Sequence, residues 1–102
     1  MFININGIIW SIHIVPFNHI ELRNPDNSYS LGCCNTQQKA IYINSNLSGY
    51  QLNKVIRHEI THAIIYSYDI SLNAAIEELL ADFCATYNEE ISYYFNKIKE
   101  KL

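Results

Sequence analysis

From residue 8 to residue 15 the chain alternates between two faces. Ile8, Trp10, Ile12 and Ile14 share one side, and Ile9, Ser11, His13 and Val15 the other. This period of two predicts a strand, which Pro16 ends. Residues 17–28 carry Asn18, Asn24, Pro25, Asp26, Asn27 and Ser28. They are expected to form a loop, with a helical turn around His19–Leu22. Two short β-capable stretches follow, at 29–34 and 39–43, and the polar residues Asn35, Thr36, Gln37 and Gln38 between them suit a hairpin.

The period then changes from two to 3.6. Ser48, with Gln51 three residues on, has the form of a capping box, and a helical apolar pattern runs from Leu52 to Tyr66. Asp69 and Ser71 sit in a short connection. A second helix is expected to start near Asn73 or Ala74 and continue toward the end of the sequence. Its predicted buried stripe is Ile76, Leu80, Phe83, Tyr87, Ile91, Tyr94 and Ile98. Strands followed by helices predict an α+β domain: a small three-stranded sheet packed on two long helices, occupying residues 1–102 as one unit.

Composition supports one globular core. Of 102 residues, 49% are hydrophobic and 17% charged, which argues against a disordered or fibrous chain. A formal charge of −3 argues against a nucleic-acid surface, which needs clustered cations. Lys97, Lys99 and Lys101 read instead as a solvated helix end that complements its dipole. Cys33, Cys34 and Cys84 form neither a disulfide framework nor a C-x-x-C zinc pair, and are expected to be reduced. The N-terminal stretch lacks a basic leader region, and no apolar run approaches the roughly 20 residues of a membrane helix. These features predict a cytoplasmic protein.

His58-Glu59-Ile60-Thr61-His62 is an H-E-x-x-H motif inside the first long helix. Histidines four residues apart lie one turn apart on the same face, so both imidazoles can reach one ion. Glu59 is turned by about 100° from His58, beside the metal rather than on it, where it would take a proton from zinc-bound water. It also falls within the apolar arc of Leu52, Val55, Ile56, Ile60 and Ala63. A carboxylate there needs a compensating partner. The bland alternative is a surface helix with incidental histidines.

A catalytic zinc usually takes three protein ligands and keeps one position open. Glu77, Glu78 and Asp82 on the second helix are the candidates for the third. Ala74, Glu78, Ala81 and Ala85 form a stripe of small residues that would let the helices approach closely, which favours Glu78 as ligand. Glu77 shares its side with Asn73, Cys84 and Asn88 and reads as solvent-facing. Asp82, one turn after Glu78, is expected to accept the free ring N–H of a ligating histidine, His58 being the expected partner. A solvated acidic helix face is the alternative for all three.

With His58-Glu59-x-x-His62 followed by Glu78-Leu-Leu-Ala81-Asp82-Phe83, the chain resembles a minimal member of the ImmA/IrrE family of zinc peptidases, in the gluzincin group. Ile41-Tyr42-Ile43 and the Gly32 segment fit that layout, and the stretch from Asn6 to Trp10 agrees more weakly. The resemblance implies a zincin-like fold, with zinc on His58, His62 and Glu78 and with Glu59 as catalytic base. It also implies a protein or peptide substrate, such as a transcriptional repressor, bound along an edge strand at residues 30–34. Two departures stand out. Thr61 occupies a position where the family commonly has Gly, which would tighten the site. No helix-turn-helix segment is present, so no direct nucleic-acid contact is expected.

The expected activity is thus zinc-dependent hydrolysis of a peptide bond. Tyr66, Tyr68, His13 and His19 are the visible candidates for stabilising the oxyanion. The rival readings are a structural zinc module and an inactive interaction protein that keeps the fold.

Overall fold

A computed structural model describes residues 1–102. The chain forms β1 (Phe2–Ile5), β2 (Ile8–Val15), β3 (Gly32–Asn35), β4 (Ala40–Asn44), α1 (Gly49–Ser67) and α2 (Ala74–Lys99). A single 3₁₀ turn at Ile20–Leu22 lies between β2 and β3, where the sequence pattern expects a helical turn. The architecture is α+β, but the sheet has four strands in the order β1-β2-β4-β3, not three.

The additional strand is β1. Asn4 and Asn6 make it look interrupted, yet Ile3 and Ile5 pack against the core while Phe2 and Asn4 stay exposed. Asn6 and Gly7 form the tight connection to β2, with φ values of 51° and 85°. Two-residue hairpin turns require such positive φ, and Asn-Gly tolerates it best. The register is antiparallel, Ile5 opposite Ile8 and Phe2 opposite Ser11. β2 then pairs in parallel with β4, and β4 pairs antiparallel with β3, which is left as an edge strand. β3 starts later than the pattern suggests: Tyr29 makes only an isolated bridge to Arg23.

The helix-facing side of the sheet carries Trp10, Ile41 and Ile43, which form the core with Ala63 of α1, and Leu52, Val55 and Ile56 of α1 pack against it. Buried Trp10 donates its indole N–H to Ser67 Oγ at 2.8 Å, and Asn6 Nδ2 donates to Ser67 O at 3.0 Å. These bonds fasten the N-terminal hairpin to the C-terminal end of α1. The 3₁₀ turn packs on β3 and β4 and buries Leu22. Tyr42, on the other side of β4 from Ile41 and Ile43, stacks with His13 and His19 at 5.0 and 5.5 Å.

Both helices occur where the 3.6 period places them, with two corrections. Ser48 is the N-cap residue of α1, but its side chain makes no capping bond. Gly49 follows it with φ +58°, which turns the backbone between the cap and the first helical N–H groups. Asn73, in contrast, caps α2 by accepting from Ile76 N at 2.9 Å. The second correction concerns the apolar stripe of α2. Ile76, Leu80, Phe83, Tyr87, Ile91, Tyr94 and Ile98 are 39–62% exposed. The residues α2 buries are Ala81 and Ala85. Close packing on α1 selects the small-residue face, so the large apolar side chains point away. No helix is long and apolar enough to cross a membrane.

Candidate metal centre

α1 presents two faces to two neighbours. Val55 and Glu59 point toward the sheet, and His58 and His62 point into the angle between α1 and α2. The two rings lie one turn apart with centroids 4.8 Å apart and Nε2 atoms facing each other at 3.1 Å. Glu78 reaches across from α2, with Oε1 2.8 Å from His62 Nε2 and Oε2 3.3 Å from His58 Nε2. Ligand atoms from these three residues all lie within 4.8 Å of one another. The buried contact at Ala81 and Ala85 is what brings the helices close enough.

Each imidazole is held from behind by a carboxylate. Asp82 Oδ1 lies 2.9 Å from His58 Nδ1, the partnership expected from the sequence. Glu77 Oε2 lies 2.5 Å from His62 Nδ1. Glu77 therefore does not face solvent as its position suggested. It sits about 60° round the helix from the Ala81/Ala85 contact line, and the crossing of the helices turns that flank toward His62. Its side chain is 29% exposed, against 59% for Glu78.

The paired contacts set the chemistry of the inner atoms. With each Nδ1–H donated to a carboxylate, each Nε2 carries a lone pair, and both lone pairs face the Glu78 oxygens. Four acceptors without a proton then converge on one point. Adding a proton to each ring instead would set two imidazolium groups 3.1 Å apart. A cation resolves either conflict. Bonds of ~2.0–2.1 Å in a tetrahedral zinc site separate ligand atoms by about 3.3 Å, close to the 2.8–3.3 Å separations found here. Two imidazoles and one carboxylate are also a donor set that suits zinc. The residues fit the ion.

Glu59 is only 7% exposed, and what remains opens on the cleft beside the histidines. Burial raises its pKa above the ordinary carboxylate value; the nearby histidines oppose that shift and Glu78 adds to it. The strand beyond it comes unusually close. A Cβ on Gly32 would lie 2.9 Å from Glu59 Oε2 and 2.8 Å from Val55 Cγ1. Only glycine lets β3 pass Glu59 at this distance.

The cleft has a volume of about 830 Å³. The edge strand β3 forms one wall through Gly32 and Cys34, with Leu31 just before it, while Tyr50 and Lys54 extend the α1 wall. Tyr50 and Lys54 escaped sequence reasoning, although they lie eight and four residues before His58, on its helical face. The four oxyanion candidates are not brought here. Tyr66 packs edge-on against Trp10 with Lys39 above its ring, His13 and His19 stack on Tyr42, and Tyr68 follows the last residue of α1. Thr61 donates its hydroxyl to Arg57 O at 2.8 Å, back within its own helix.

All three cysteines are free and half-buried. Cys34 lines the cleft, and desolvation, reinforced by the charge of Glu59, pushes its thiol up to about 12. No protein-family model, curated protein or solved structure matches this chain.

Proposed function

We propose that this chain is a zinc-dependent endopeptidase of the ImmA/IrrE type, with the ion held by His58, His62 and Glu78. The observation that carries the reading is the convergence of three ligand side chains within 4.8 Å, with Glu59 at the edge of an open cleft. When bound, zinc supplies Lewis acidity toward the scissile carbonyl and a water-derived nucleophile at neutral pH.

The protein's own residues supply the rest. Asp82 and Glu77 hold the two imidazoles in the tautomer that leaves Nε2 free for the ion. The Glu59 carboxylate accepts a proton from the attacking water and returns it to the departing amine nitrogen. Burial makes this carboxylate a stronger base than an exposed one. The outer edge of β3 has unpaired backbone groups beside the cleft, so an extended substrate would add as a further strand and bring its peptide bond to Glu59. The substrate class is therefore an extended protein segment, and a regulatory protein such as a repressor is the choice the sequence resemblance favours.

The test is cleavage of a quenched fluorogenic peptide library by zinc-loaded protein, beside the Glu59→Gln variant. The variant should bind zinc as the parent does and lose about 10²–10⁴-fold in rate. Equal cleavage by both proteins refutes the mechanism.

A further inference from the structure

The face that α2 turns away from α1 is apolar along its whole length. At about 100° per residue, Ile76, Leu80, Phe83, Tyr87, Ile91, Tyr94 and Ile98 fall within an arc of about 80° on the side opposite Ala81 and Ala85. Midway along this stripe Phe83, Tyr87, Ile91 and Tyr94 line a shallow groove of about 200 Å³ together with Glu90. Aromatic side chains offer ~150–250 Å² each, and Ile and Leu lie toward the lower end of that range. At 39–62% exposure the stripe presents on the order of 500–900 Å² per chain. That is at or above the ~300–600 Å² of the largest patch on an ordinary monomer. It approaches the ~800 Å² per partner of a stable interface.

The positions on the stripe say what fits it. They are self-complementary when the helix is reversed about Tyr87: Ile76 falls opposite Ile98, Leu80 opposite Tyr94, Phe83 opposite Ile91, and Tyr87 opposite itself. The helix dipoles favour the same arrangement. Reversal opposes them, whereas a parallel pair would align them and set Lys97 and Lys99 of the two copies side by side. An interface in which each residue meets its mirror-numbered partner is what a twofold dimer requires. We propose that two copies of this chain pair antiparallel through this face of α2, with Tyr87 on the twofold axis.

The experiment is sedimentation equilibrium of the full chain across micromolar concentrations, with the Tyr87→Glu and Ile91→Lys variants beside it. The parent should sediment at twice its 11.9 kDa chain mass. Tyr87→Glu, which sets two carboxylates face to face, should raise the dissociation constant ~30-fold or more. Ile91→Lys should weaken the dimer as well, and circular dichroism should report unchanged helix content in at least one of the two. Orientation is read by oxidation in a background with Cys33, Cys34 and Cys84 replaced. Tyr87→Cys should cross-link with itself, and Ile98→Cys only when mixed with Ile76→Cys. A monomer at every concentration overturns the proposal. So does a dimer untouched by a folded α2 variant, or self-cross-linking of Ile98→Cys.

Discussion

Replacing Gly32 by alanine adds one methyl group at the point where the edge strand crosses α1. The new Cβ would meet Val55 Cγ1 at 2.8 Å, Glu59 Oε2 at 2.9 Å and Glu59 Cγ at 3.1 Å. Carbon atoms in contact normally stand ~3.5–4.0 Å apart, so the neighbours must retreat by half an ångström or more. Val55 is β-branched and stiff at χ1 within a helix. Glu59 can swing its carboxylate aside, but its Cγ is crowded too. Either β3 lifts from α1 or Glu59 leaves its place. Overpacking of this kind costs about 1–3 kcal/mol, offset by ~0.4–1 kcal/mol because alanine restricts the unfolded chain. The expected net loss is therefore about 1.3 kcal/mol at the middle of these ranges and at most about 2.6 kcal/mol. At ~4–8 °C per kcal/mol for a domain of this size, the middle value lowers Tm by about 5–10 °C, with an unchanged urea slope. The same variant should cleave peptide more slowly, since either movement disturbs Glu59. Thermal unfolding and peptide hydrolysis measured on one preparation decide the matter. An alanine variant with the parent's Tm and the parent's activity would refute the close passage of β3 over Glu59.

Other consequences follow from the same geometry. Asp82→Asn and Glu77→Gln each weaken the hold on a ligating imidazole and should lower zinc affinity about 10–100-fold in a chelator competition titration; unchanged affinity would mean that these carboxylates do not support the ligands. Cys34 links stability to alkaline pH. Its thiol is raised to about 12, above the value of an unfolded cysteine near ~8.5. The folded chain therefore keeps a proton that the unfolded chain releases, and stability present below the lower value is lost between the two as pH rises. The slope is at most about 1.4 kcal/mol per pH unit, reduced by solvent screening of a half-buried group. Urea midpoints measured from pH 8 upward should fall less steeply for Cys34→Ala than for the parent, and identical slopes would remove Cys34 from the account.

What the amino-acid order determines by itself is local. The 3.6-residue period puts His58 beside His62 and Glu78 one turn from Asp82 whatever surrounds them, because a helix fixes the angle between successive side chains. Glu59 in an apolar arc announces its burial for the same reason. β1 was also legible: Asn6-Gly7 between two apolar runs marks a hairpin, but two asparagines masked the alternation. Tertiary structure decided everything that depends on how one element meets another. The angle between the helices gives Glu77 to His62, and no count along one helix contains that angle. The same crossing chose Ala81 and Ala85 for burial and left seven large apolar side chains facing outward. A hydrophobic stripe tells which face of a helix seeks cover. The shape of its neighbour tells which face receives it within the chain.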